Sequence, residues 1–63
     1  MAEKYFEDDD GVPFSYDPGT GKLFRMSGDK RTDVTETADV EEIISRKEIS
    51  RERAVDLAVL WAE

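Results

Sequence analysis

Apolar positions along this chain come in short bursts separated by charge, and the spacing inside each burst changes part-way along. Tyr5 and Phe6 form a first pair, between an opening MAEK expected to be loose and the acidic run Glu7, Asp8, Asp9 and Asp10. VPFSYDPGTGKLFRM then places two strand-like runs on either side of a dense turn. Asp17 can hydrogen-bond nearby backbone amides, Pro18 presets its own φ and Gly21 can supply a positive φ, so the stretch predicts a β-hairpin. YDPGTGKL also resembles the designed mini-hairpin family built on the turn DPETG, over the turn alone.

The turn fixes an expected register in which Tyr16 faces Leu23, Phe14 faces Arg25, Ser15 faces Phe24 and Pro13 faces Met26. Neighbouring side chains point to opposite faces of a sheet, so Val12, Phe14, Tyr16 and Leu23 share one face, and Phe24 and Met26 share the other. A third strand around Tyr5 and Phe6 is expected along one edge, because an isolated two-stranded hairpin is seldom stable.

After Met26 the pattern changes. SGDKRTDVTET carries one apolar residue, Val34, and reads as a polar connector. Beyond it Val40, Ile43 and Ile44 recur at helical spacing, with Thr37 as the expected N-cap and acids early in the helix, where its dipole favours them. Ser50 is expected to cap a second helix, with Ile49 stapled against Ala54. That helix would turn Ala54, Leu57, Ala58 and either Leu60 or Trp61 inward. The fold expected is α+β in one small domain: a β-hairpin or three-stranded antiparallel meander over about 4–27, a connector over 28–37, and a C-terminal αα-hairpin with helices over about 38–46 and 51–62.

Composition narrows the chemistry. At 63 residues only about 60% of the unfolded chain's surface is buried on folding, so a partner or self-association is an expected source of stability. The absence of cysteine and histidine excludes a disulfide framework and thiolate or imidazole metal sites, and it removes the usual bases and nucleophiles. DPGTGK lacks the spacing of a phosphate loop, and the acidic run lacks that of an EF-hand calcium loop. No enzyme, metal or cofactor is expected. Charged residues make up 40% of the chain and the formal net charge is -7, a balance that repels nucleic acid and anionic lipid. No apolar run has the length of a membrane span and the first residues lack the regions of a signal peptide, so the expected location is cytoplasmic.

DVEEIISRKEISRER, residues 39–53, resembles the helix-turn-helix of bacterial sigma factors and their relatives, over roughly a quarter of the chain; no family is recognised over its whole length. The resemblance implies a recognition helix whose opening residues Ser50, Arg51 and Arg53 reach DNA, in a dimer working through that helix. Glu48 stands where this motif takes glycine, and Glu48, Glu52 and Asp56 flank the two arginines and cancel much of the phosphate attraction. DNA binding is therefore the alternative. The leading expectation is a non-enzymatic protein-binding module whose Glu7, Asp8, Asp9 and Asp10 meet a basic, nucleic-acid-binding surface of a larger protein. Carboxylates spaced like phosphates would make it a nucleic-acid mimic. Phe24, Met26, Trp61 or the second helix would supply apolar anchorage. Small acidic proteins of bacteriophage and mobile elements, many of them inhibitors or regulators, resemble this chain in size and charge. A structural subunit of a larger assembly and a homodimer complete the expectations.

Overall fold

The computed structural model describes residues 3–62, so Met1, Ala2 and Glu63 lie outside the described residues. Five strands and two helices follow in the order β1 (Lys4–Glu7), β2 (Pro13–Asp17), β3 (Lys22–Ser27), β4 (Lys30–Asp33), α1 (Val40–Ile44), β5 (Glu48–Ile49) and α2 (Arg51–Leu60). They form a single antiparallel sheet of order β4-β3-β2-β1-β5. The hairpin and its third strand lie where the sequence puts them. Phe14 faces Arg25, Ser15 faces Phe24 and Tyr16 faces Leu23, and Tyr5 and Phe6 line up with Ser15 and Phe14. Asp17 closes the turn as expected: its carboxylate accepts the Gly19 N–H at 2.9 Å, its carbonyl accepts the Gly21 N–H at 2.7 Å, and Gly21 takes φ 74°.

The connector differs from expectation. Gly28 adopts φ 61° directly after β3, the geometry of a tight hairpin turn with glycine at its first central position. The chain reverses there and Lys30–Asp33 pair with Phe24–Ser27 as a fourth strand. All four β4 residues are exposed, so no hydrophobic alternation marked the strand in advance.

A larger difference concerns the helices. The expected C-terminal αα-hairpin does not form, because Glu48 and Ile49 between the helices pair with Phe6 and Tyr5 at the sheet edge. Each helix then packs in a different hydrophobic cluster. On one face Phe6, Val12, Phe14, Leu23 and Ile43 form a core, with Val34, Ala38, Val40 and Ile44 against it. On the other, Tyr5, Met26, Ala54 and Ala58 form a second core, with Ile49 beside them. The sheet is thus the middle layer of three, with apolar groups from both of its faces buried. Met26, an expected exposed contact, is only 5% exposed beneath α2, and Phe24 is half-buried.

Helix starts follow local chemistry. Ser50 caps α2 as expected, its side chain accepting the Arg53 N–H, and Ile49 packs in the cluster that holds Ala54. For α1 the cap is Asp39, which accepts the Glu42 N–H at 3.2 Å. Thr37 instead donates its hydroxyl to the Val34 carbonyl in the preceding turn. Of the residues expected inward on α2, Ala54 and Ala58 are buried, Leu57 is half-buried and Leu60 is exposed.

Candidate docking surface

Small side chains decide how α2 sits. Ala54 and Ala58 are one helical turn apart, so they share a face, and both are completely buried. A helix whose contact residues are alanines approaches a sheet closely but buries little aliphatic surface of its own. The larger aliphatic groups project elsewhere: Val59 is 65% exposed and Leu60 79%, with Val55 also exposed. At 100° per residue Glu52 and Asp56 lie opposite the alanines, with Val55 and Val59 along one flank and Leu60 on the other. Arg51, Glu52, Val55 and Asp56 line a shallow hollow on this outer face. Burying a valine or leucine is worth about 1.5–3 kcal/mol, so this helix withholds a substantial favourable contribution from the fold. Scattered single aliphatics on a surface are ordinary; here Val55 and Val59, one turn apart, share a flank, and Leu60 lies across Asp56 from them.

The acidic run is largely engaged within the molecule. Asp8 turns its carboxylate onto its own loop, accepting the N–H groups of Asp10 and Val12, both at 2.9 Å. Glu7 accepts the Arg53 guanidinium at 3.1 Å. Asp9 accepts Arg46 at 2.6 Å, and the same guanidinium reaches Glu42 at 3.1 Å. Asp10 is exposed. Three of the four carboxylates therefore hold the β1–β2 loop and tie it to α1 and α2. Among the described residues no three acids converge closely enough to hold a metal ion.

The hydrogen bond and charge of Arg46 hold the Asp9 carboxyl below the usual carboxylate range, and the Thr35 backbone N–H does the same for Asp33. A pKa lowered by folding contributes stability that is complete above the unfolded value and is lost as pH falls through the folded one. The thermal midpoint is expected to hold from neutrality to about pH 4 and to decline below it. Arg46→Met is expected to flatten the part of that decline due to Asp9. A thermal titration between about pH 2 and pH 7 reads this, and superimposable acid limbs for the two proteins would rule it out.

Trp61, the remaining expected anchor, is only partly available. Its indole N–H donates to the Gly11 carbonyl at 3.1 Å, its carbonyl accepts the Ser27 hydroxyl at 2.8 Å, and Arg25 lies 6.0 Å from the ring centroid. The ring thereby fastens the end of α2 to the β1–β2 loop and β3. Of the residues that the resemblance assigns to DNA, Ser50 is occupied as a cap and Arg53 by Glu7, while Arg51 is exposed.

The sequence places Val55, Val59 and Leu60 on the second helix without showing which of them face out. The signal available was the pair of alanines at helical spacing. No protein-family model matches the chain, and neither does any curated protein or solved structure. Among the described residues no helix is long and apolar enough to cross a membrane.

Proposed function

We propose that this is a small acidic, non-enzymatic protein-binding module, a regulator or inhibitor that lays the outer face of α2 in an apolar groove with a basic rim on a larger protein. The exposed Val55, Val59 and Leu60, set beside Glu52 and Asp56, carry the reading. The aliphatic groups supply binding energy when water leaves them. The two carboxylates meet cations at the rim, and the net charge of -7 steers the encounter with a basic partner. A basic rim that also contacts phosphates would make occupation by this helix act by competition. Relative to the sequence expectation, the contact moves from Glu7–Asp10 to α2, because intramolecular bonds engage Glu7, Asp8 and Asp9.

The test uses immobilised protein, the double variant Val59→Ser with Leu60→Ser, and a bacterial lysate. Wild type is expected to retain a basic protein at low salt, and the purified partner to bind the variant at least about tenfold more weakly, since tenfold is only 1.4 kcal/mol. The variant's own stability is expected to change by no more than about 0.5 kcal/mol, as for other exposed positions. Equal affinity for both proteins would exclude the α2 face. Saturable binding of a mixed-sequence DNA duplex that is abolished by Arg51→Ala would favour the DNA-reading alternative.

A further inference from the structure

Strand β4 ends one side of the sheet, and among the described residues no strand pairs with its outer edge. The Val34 N–H donates to the Leu23 carbonyl at 2.9 Å, which sets the phase of the β3–β4 ladder. Backbone groups alternate in direction along an antiparallel strand, so Lys30 and Thr32 point theirs at β3, while Arg31 and Asp33 point N–H and C=O outward. Two residues apart, the side chains of Arg31 and Asp33 lie on one face of the sheet.

We propose that this edge is a self-pairing surface, on which two copies of the chain join β4 to β4 antiparallel about a two-fold axis at Thr32. Register selects the alignment. Outward-directed groups must meet outward-directed groups, which leaves three ways to align Arg31 and Asp33 with their copies. Arg31 facing Arg31 sets like charges together and also brings Asp29 opposite Asp33. Asp33 facing Asp33 sets carboxylates together. Only the third alignment places each Arg31 opposite the other copy's Asp33, giving two opposite-charge cross-strand pairs and four backbone hydrogen bonds. Lys30 then faces Val34 rather than another cation.

Both side chains can serve this contact as they stand. Arg31 gives one N–H to Glu3 at 2.9 Å, and a guanidinium has five. Asp33 accepts the Thr35 N–H through one oxygen and keeps the other. Although each chain carries -7, the edge strand and its turn are formally balanced, Lys30 and Arg31 against Asp29 and Asp33, and charges beyond about 8 Å are screened at physiological salt. The surface lies on β4, apart from the outer face of α2, so a dimer formed this way leaves the proposed docking helix free.

An edge this short belongs with small, weak interfaces, so association is read by sedimentation equilibrium between about 10 µM and about 1 mM. A monomer–dimer equilibrium with a dissociation constant below about 1 mM is expected. Arg31→Asp and Asp33→Arg are each expected to weaken it at least tenfold, and the two together to restore it to within about threefold, because the exchanged charges again face their opposites. A second readout uses the absence of cysteine from the chain. Thr32 meets its own copy at a non-hydrogen-bonded position with Cα atoms about 4.5 Å apart, within the span of a disulfide. Thr32→Cys is expected to crosslink into a covalent dimer on mild oxidation, and Lys30→Cys is not. A monomer throughout the concentration range, or equal crosslinking of the two cysteine variants, would overturn the proposal. So would a double charge exchange that fails to restore association while circular dichroism shows every variant folded.

Discussion

Leu23→Ala is expected to remove about 2–5 kcal/mol of stability, the range for deleting a buried leucine side chain. Leu23 has no exposed surface and lies among Phe6, Val12, Phe14 and Ile43. It sits opposite Tyr16 in the ladder, where its side chain meets the layer that carries α1. A domain of 63 residues has about 3–9 kcal/mol in total, at roughly 0.05–0.15 per residue. Each kcal/mol shifts the midpoint of a domain this size by about 4–8 °C, so the variant is expected to melt at least about 8 °C lower or to lose its cooperative transition. Thermal and urea unfolding followed by far-ultraviolet circular dichroism measure this. A loss below about 1 kcal/mol would mean that this face is not the well-packed core described above.

Gly28→Val is expected to be nearly as damaging, for a different reason. Gly28 has φ 61°, its N–H donates to the Ala58 carbonyl at 2.7 Å, and an added Cβ would lie 3.1 Å from that of Ala62. A side chain in the left-handed region costs about 1–2 kcal/mol by itself. The contact with Ala62 adds to this, because relieving it moves the residue 28 N–H away from the Ala58 carbonyl that it bonds. The sum is about 2–4 kcal/mol. Gly21→Ala is the control: φ is 74° there, but no atom lies within 4 Å of the added Cβ, so backbone strain alone is expected. Gly28→Val should also perturb Trp61 fluorescence, since Ser27 bonds the Trp61 carbonyl. Equal losses at the two glycines would show that the β3–β4 turn does not support the helix end.

These two positions also show what could be read in advance. The environment of Leu23 was legible, because the turn residues Asp17, Pro18 and Gly21 fix the hairpin register and strand alternation then assigns each side chain to a face. Gly28 was not. Its neighbours along the chain are polar, and the contacts that make it matter come from Ala58 and Ala62, some thirty residues away in sequence. The same limit applies to the candidate site. The second helix and its cap followed from Ser50 and the spacing of Ala54 and Ala58, yet Leu60 or Trp61 was expected inward with them. A helix seated on its alanines leaves Leu60 outside, and hydrogen bonds to Gly11 and Ser27 determine where Trp61 rests. Likewise, nothing in the run Glu7–Asp10 signals that Arg46 and Arg53, distant along the chain, will engage two of its carboxylates.

The sequence by itself determined an α+β domain, the β2–β3 register, the pairing strand at Tyr5 and Phe6, the helical character of both C-terminal segments and the Ser50 cap. All of these rest on interactions within a few residues or on a repeat matching one secondary-structure period. The tertiary structure decided that Lys30–Asp33 extend the sheet, that Glu48 and Ile49 join its other edge, and that the two helices cover opposite faces instead of pairing. The pairing of Glu48 and Ile49 depends on backbone hydrogen bonds to a distant segment, and that of Lys30–Asp33 on a local turn at Gly28 whose strand carries only exposed polar side chains, so neither is encoded by hydrophobic alternation. The placement of the helices depends on the burial of Phe14 and Met26 on opposite faces of one sheet, which requires a separate helix for each.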